Sequence, residues 1–123
     1  MRQVYNRVFA IPWLTGDSGY VYSERIQPGY VLHVLSCSAH SPARHASDNA
    51  IIGISQGGEE IIITAQAPLA AQDAIDAPND FYVGEGGRVY AKFTDARNTD
   101  SIAIHINGEI LPLCDWERSE GSR

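Results

Sequence analysis

A glycine-rich segment, Gly84-Glu85-Gly86-Gly87, is the first candidate for chemistry, because backbone amides of glycine-rich loops can hold phosphate groups. A dinucleotide site requires G-x-G-x-x-G between a strand and a helix, whose N-terminus binds the pyrophosphate. Here the third glycine is not at that spacing, Glu85 would repel a phosphate, and a strand pattern follows. The Gly-Lys-Ser/Thr of a P-loop does not occur either. We therefore predict a turn or bulge that opens a strand, and no bound cofactor.

The polar segment 39–50 contains residues of the types that bind a transition metal. His40 and His45 are five residues apart, and Asp48 follows them. Arg44 lies between the histidines, and its positive charge opposes cation binding. A solvated loop is the favoured interpretation of this segment.

The strand histidines do not reproduce the signature of cupins, the jelly-roll metalloenzymes. A cupin strand carries His-x-His followed by a glutamate, but Leu35 stands where the second histidine would follow His33. We expect His33 to be partly buried and His105 to lie on the strand face opposite the isoleucines. The sequence thus predicts no metal site.

Carboxylates and serines form no recognisable catalytic group. Glu59 and Glu60 would point to opposite faces of a strand, so they do not make an acid–base pair. Three aspartates could bind calcium, but their spacing matches no standard calcium loop: Asp73, Asp76 and Asp80. The serines lack the G-x-S-x-G nucleophile elbow. We predict no catalytic residue.

Aromatic residues cluster before the first long strand, in "PWLTGDSGYVY". Trp13, Tyr20 and Tyr22 are candidate partner contacts, since tryptophan and tyrosine are enriched at protein interfaces. In the alternative interpretation, Tyr20 and Tyr22 fill one end of the core. The sequence does not decide between these two roles.

The elements that position these residues are strands, because apolar residues recur with a period of two. In 88–94, Val89, Ala91 and Phe93 are expected to face inward, and in 101–107 three isoleucines share one face. The segment 30–39 places His33, Leu35 and Cys37 on one face. At most one or two helical turns are expected within 68–77. The predicted strands are 3–11, 19–26, 30–39, 50–56, 59–66, 80–83, 88–95 and 101–107, with a short return strand at 109–113.

Turn signals separate these strands. Gln56-Gly57-Gly58 and Asn107-Gly108 each lie between two apolar runs and predict hairpins. Pro28-Gly29 predicts a turn that leads into the strand at 30–39. The loop 39–50 is long enough to cross from one sheet to another or to meet a partner.

The expected fold is an all-β antiparallel sandwich of jelly-roll type with about eight strands, because a single sheet would leave one apolar face in water. A small closed barrel is the alternative. One domain covers 1–123, with an N-terminal arm over 1–14 and a tail that frays over 115–123.

Composition and charge argue against several classes of function. The chain of 123 residues has a formal net charge of −6 and only nine lysines and arginines, which argues against nucleic-acid binding. No apolar stretch reaches the length of a membrane helix, and we expect no secretory signal and no membrane partner. Cys37 and Cys114 are expected to be free thiols, with Cys37 buried.

The order of turns and strands resembles the small jelly-roll virion proteins of tailed bacteriophages. The resemblance covers about residues 24–110 and includes "QPGYVLHVLSCSA", "DFYVGEGGRVYAKF" and "DSIAIHINGEI". It implies a non-enzymatic structural protein of the virion, made in the host cytoplasm. Such a protein would decorate or cement the capsid, or join a neck or tail.

The expected partners of a virion protein are the major capsid protein or neighbouring virion proteins, together with further copies of this chain.

Two other functions remain as alternatives to a virion protein. A lectin-like carbohydrate-binding sandwich is the second candidate, with Trp13 near Asp17, or Tyr82 near Asp80, as its aromatic platform. A cupin-type metalloenzyme is the third and least favoured.

Overall fold

The computed structural model describes residues 3–11, 19–40, 50–66, 74–93 and 102–116. These residues form nine strands and one short helix, α1, at Leu113–Trp116. The strands are β1 Gln3–Ile11, β2 Gly19–Tyr22, β3 Tyr30–His40, β4 Ala50–Gln56, β5 Glu59–Gln66, β6 Ile75–Asp76, β7 Phe81–Val83, β8 Arg88–Phe93 and β9 Ile102–Pro112.

The strands form two antiparallel sheets. The first has the order β1-β9-β3, with β6 and β7 both pairing with the far side of β3. The second has the order β2-β8-β4-β5. If β6 and β7 are counted as one interrupted strand, each sheet has four strands, as in a jelly roll. The structure confirms the all-β sandwich predicted from the sequence.

Most connections between successive described strands lead from one sheet to the other. The segment after β3 leads from the first sheet to β4 in the second, as predicted for the loop 39–50. The β4–β5 connection stays within the second sheet, and both of its central glycines have positive φ, 62° at Gly57 and 81° at Gly58. This is the two-residue hairpin that the sequence predicted.

The core lies between the sheets and consists of aliphatic and aromatic side chains from alternate strand positions. The predicted inward residues of two strands are all buried: Val89, Ala91 and Phe93 on β8, and Ile102, Ile104 and Ile106 on β9. His105 is exposed on the opposite face of β9, as expected.

The hairpin predicted at Asn107-Gly108 is wrong. Strand β9 continues through both residues, and Gly108 lies opposite Tyr5 of β1 and Val34 of β3. The register of β3 against β9 shifts between Val34 and Ser36, which marks a β-bulge. A Cβ atom on Gly108 would overlap the carbonyl oxygen of His33. The glycine therefore permits close approach of the backbone rather than a turn.

Because of this bulge, the prediction that Leu35 and Cys37 share one face of β3 is wrong. Leu35 is exposed, whereas Cys37 is buried on the same side as Leu32 and Val34, because the extra residue shifts the alternation by one position. Neither Cys37 nor Cys114 forms a disulfide bond, as predicted.

Several predicted boundaries differ from the structure. The strand predicted at 19–26 ends at Tyr22, and within the predicted helical segment 68–77, residues 75–76 form β6. Residues 3–11 of the predicted arm form β1, which pairs with β9 along its whole length. The tail from 115 begins with the last two residues of α1, and 117–123 lie outside the described residues.

Candidate partner-binding site

Tyr20 and Tyr22 lie on β2, at the edge of the second sheet, and both point away from the core. Val21, between them, is fully buried in the core. Because side chains alternate along a strand, the two tyrosines occupy the outer face of the sheet and do not fill the core. Trp13, the third predicted contact, lies outside the described residues.

The two tyrosine rings form a stack that is closed at both ends by cations. Their ring centres are 5.6 Å apart and their planes differ by 2°. The guanidinium carbon of Arg88 lies 3.8 Å from the Tyr22 ring centre, and Lys92 Nζ lies 5.0 Å from the Tyr20 ring centre. Since the gap between the rings has no room for a third group, the cations cover the two outer faces.

Tyr90 supports this stack from β8. Its ring centre lies 5.9 Å from that of Tyr20 and 6.2 Å from that of Tyr22, with tilted planes. Although it points to the outer face of the sheet, Tyr90 is only 1% exposed. Gly53 lies opposite it on β4, and a Cβ atom there would come within 2.8 Å of the Tyr90 ring. The absent side chain lets the ring lie flat across the strand.

The electrostatics of this face combine two cations with one carboxylate. Neither Arg88 nor Lys92 has a carboxylate partner among the described residues, and Arg88 Nε is buried without a hydrogen-bond acceptor there. Partial burial, followed by the negative charge of Glu60, raises the pKa of Tyr22 and of Tyr90. Both phenols therefore remain neutral donors at physiological pH.

The covered rings determine what this face can recognise. Each stacked tyrosine has one ring face against the other ring and the second under a cation, so Tyr20 and Tyr22 offer no open ring to a sugar. The groups left to a partner are the ring edges and hydroxyls and the terminal N–H groups of Arg88 and Lys92. Such donors suit carboxylates and carbonyl oxygens.

Sequence reasoning singled out Tyr20 and Tyr22 as candidate contacts, which remains a prediction, and did not single out Tyr90, Arg88 and Lys92, which pack against them. The signal was present in "RVYAKF", because the residues that alternate with the inward Val89 and Ala91 must share the outer face. The pairing of β8 with β2 was not predictable from that pattern.

The glycine segment 84–87 is a turn, as predicted. Gly86 has a φ of 79°, and Gly87 N donates to Gly84 O over 3.1 Å. Glu85 has a structural role that the sequence did not show. Its Oε2 accepts a 2.7 Å hydrogen bond from Gly29 N, so it ties this turn to the predicted Pro28-Gly29 turn.

A histidine–aspartate pair lies at the outer face of the first sheet. His33 Nε2 and Asp80 Oδ2 are 2.7 Å apart, and the Tyr82 ring stacks on the imidazole with a centre separation of 4.3 Å. This hydrogen bond is the main cause that lowers the pKa of Asp80. Within the described residues His33 has no hydroxyl or thiol hydrogen-bond partner, and one face of Tyr82 is already covered.

The described residues contain no group of three or more histidines, cysteines, aspartates or glutamates that could hold a metal ion. His40 ends β3, whereas its proposed companions His45 and Asp48 lie outside the described part of the chain. Of the three aspartates considered for calcium, Asp76 is on β6 and Asp80 pairs with His33; Asp73 is not described. No helix among the described segments is long and apolar enough to cross a membrane.

Comparison with known proteins identifies the fold but not a family. No family model matches the chain, and no curated protein matches it. A chain of the acid-stable capsid of Helicobacter pylori bacteriophage KHP30 matches with a TM-score of 0.60 and 13% identity, covering 91% of this chain and 94% of that one. A chain of the cyanophage Pam1 capsid asymmetric unit matches with a TM-score of 0.53 and 16% identity, covering 90% and 86%. The protein thus has the jelly-roll fold of phage capsid chains.

Proposed function

We propose that the protein is a structural component of a phage particle, without enzymatic activity, that decorates or cements the capsid or a neck or tail junction. The observation that carries the proposal is the fold likeness to two phage capsid chains over nearly the whole length of each. The predicted partners are the major capsid protein or neighbouring virion proteins. Further copies of this chain are predicted partners as well.

The extent of the two structural matches supports the proposal that the protein is a small accessory component of the particle. Because this chain of 123 residues covers 94% and 86% of the two matched chains, those chains are similar in length to it. Each match is therefore to a small single jelly roll, and not to one domain of a large shell protein.

The described surface offers contacts rather than reacting groups. On the outer face of β1, Val4 is 84% exposed and Val8 is 57% exposed. Among the described strands β1 pairs only with β9, so its other backbone edge is available to a neighbouring chain. We propose that this strand, which lies within the predicted arm 1–14, contacts neighbouring virion proteins.

The buried position of Tyr5 means that the contact proposed for β1 cannot be tested by deleting residues 1–14. Tyr5 of β1 is buried in the core, and its hydroxyl donates to Glu24 over 3.2 Å. Deleting 1–14 would remove an integral strand and unfold the protein, so point substitutions are required. Val4→Ser and Val8→Ser leave the backbone pairing with β9 intact.

The decisive experiment is mass measurement in solution of the protein alone and mixed with shell proteins encoded beside it. A stoichiometric complex is expected, and the V4S/V8S double variant should weaken it. Ile61→Ser, an exposed apolar position on the opposite sheet edge, is the matched control and should retain binding. Absence of any complex with shells or shell proteins would refute the proposed function.

A further inference from the structure

Resting on the proposed function, we infer that the outer face of the second sheet binds an extended, carboxylate-bearing segment of a neighbouring virion protein. This surface, named here the tyrosine–cation face, consists of Tyr20, Tyr22, Tyr90, Arg88 and Lys92. It is distinct from the exposed valines of β1, which belong to the other sheet.

Charge indicates the chemistry of the partner. The chain carries a net charge of −6, yet this face presents two cations that form no ion pair within the described residues. Other described arginines have polar partners: Arg7 Nε lies 4.0 Å from a Glu24 oxygen, and Arg25 donates to Gly86 O over 3.0 Å. A guanidinium that stacks on an aromatic ring keeps its in-plane N–H edge available for a carboxylate.

Spacing indicates that the partner segment is extended. Arg88 and Lys92 are four residues apart on one face of β8, which corresponds to about 13 Å along the strand. Two carboxylates on the same side of an extended segment, also four residues apart, have the same spacing. The tyrosine hydroxyls lie between the cations, because the rings are stacked between them.

Apolar contact is available beside the charges. The ring edges of Tyr20 and Tyr22 lie between the two cations, over the strands β2 and β8. Tyrosine and arginine are enriched among residues that contribute most to protein interfaces. An aliphatic residue midway between two acidic residues that are four positions apart faces the same side of an extended segment, so it would contact the tyrosine ring edges.

Glu60 limits where the acidic segment can lie. It is on the same outer face, in a row with Ser55 and Arg88, two strands from β8 and so about 10 Å away. Its charge would repel an acidic partner that extended over β5. The segment should therefore lie over β8 and β2.

The test uses two fluorescein-labelled nine-residue peptides of equal composition, made of Val and Thr with two Glu. In the matched peptide the two Glu are four residues apart, and in the control peptide they are adjacent. Binding is measured by fluorescence anisotropy in low salt. The matched peptide should bind at least threefold more tightly, because only its carboxylates reach both cations from one side.

Variants identify the surface that binds. Arg88→Gln and Lys92→Gln should each weaken binding of the matched peptide about two- to fivefold, as expected for partly exposed charge pairs. Arg7→Gln removes the same charge elsewhere and should have no effect. Glu60→Gln should strengthen binding. Thermal unfolding of each variant verifies that it is folded.

The outcomes separate this inference from the proposed function. If the shell complex forms but R88Q/K92Q leaves it and peptide binding unchanged, the inference is wrong and the proposed function stands. If R7Q weakened peptide binding as much as R88Q/K92Q, the effect would be one of general charge, and the inference would also be wrong. Equally tight, Arg88-dependent binding of a labelled oligonucleotide would overturn it as well, because the recognised group would then be any anion.

Discussion

Substituting Gly108 by alanine tests the close approach of β9 to β3, because the added methyl group has no free space. Besides overlapping the His33 carbonyl oxygen, a Cβ atom would lie 3.0 Å from His33 C and 3.1 Å from Val34 Cα. These are backbone atoms of a central strand, so no side-chain rotation relieves the contact. The bulged part of β3 must move away from β9.

The expected loss of stability follows from that displacement. Overpacking a well-packed site costs about 1–3 kcal/mol, and a clash with backbone lies at the top of this range. Gly108→Ala should therefore lower the free energy of unfolding by about 3 kcal/mol, out of a total of about 5–15 kcal/mol. The melting temperature should fall by about 10 °C in a domain of this size.

Gly57→Ala is the matched control. It makes the same chemical change at a true turn, with a φ of 62° and no atom within 4 Å of the new Cβ. Only the left-handed backbone conformation is disfavoured there, at about 1–2 kcal/mol. Both variants lose the same freedom in the unfolded chain, so the loss of stability at Gly108 exceeds that at Gly57 by the cost of the clash less the cost of the left-handed conformation.

Urea unfolding of both variants, followed by circular dichroism, provides the measurement. A loss of stability at Gly108 no larger than that at Gly57 would refute the close approach of β9 to β3 at this position. An unchanged m-value would show that the variants still unfold from a compact native state.

Three further predictions follow from described contacts. Glu85→Ala should lower stability by about 1 kcal/mol in urea unfolding, because Gly29 N loses its acceptor, and Glu85→Gln should restore most of it. A thiol reagent should modify Cys114 rapidly and Cys37 only on unfolding, since burial raises the pKa of Cys37 to about 12; two fast thiols would contradict this. Burial, with the charge of Glu24, raises the pKa of Tyr5 from 10.0 to about 12, so its stabilising contribution is complete below pH 10 and is lost as pH rises towards 12. Tyr5→Phe should remove one high-pH phenol from an ultraviolet titration.

The fold was largely predictable because local signals agreed. Period-two alternation located β4 and β5 to the residue, and Gly57-Gly58 specified the hairpin between them. Asn107-Gly108 carried an equally strong local signal and was misleading. Its glycine is required by the bulge of a strand far away in sequence, and no local pattern shows that contact.

The candidate site was only half predictable for the same reason. Tyr20 and Tyr22 stand out in sequence, but the cations that cover their rings come from a strand about 70 residues later, and the alternation within β8 does not say which strand pairs with it. Glu85 shows the same limit, since its partner Gly29 is 56 positions away.

The jelly roll constrains inward and outward residues of β2 and β8 differently. The sandwich needs Val21, Val89 and Ala91, which are buried between the sheets. It does not need Arg88 and Lys92, because any polar side chain is compatible with the outer face of an antiparallel sheet. Two structures that share this fold at 13% and 16% identity illustrate how little of the sequence the architecture requires.

On the inference that this face binds a partner, the stacked tyrosines and their cations serve binding more than folding. A sheet stabilised only for folding would gain little from two cations held on rings without carboxylates, since exposed cation–π contacts contribute only about 0.5–1 kcal/mol. The two roles predict different results for R88Q/K92Q. A purely structural role predicts a loss of stability with normal shell binding, whereas a docking role predicts nearly normal stability and weakened binding.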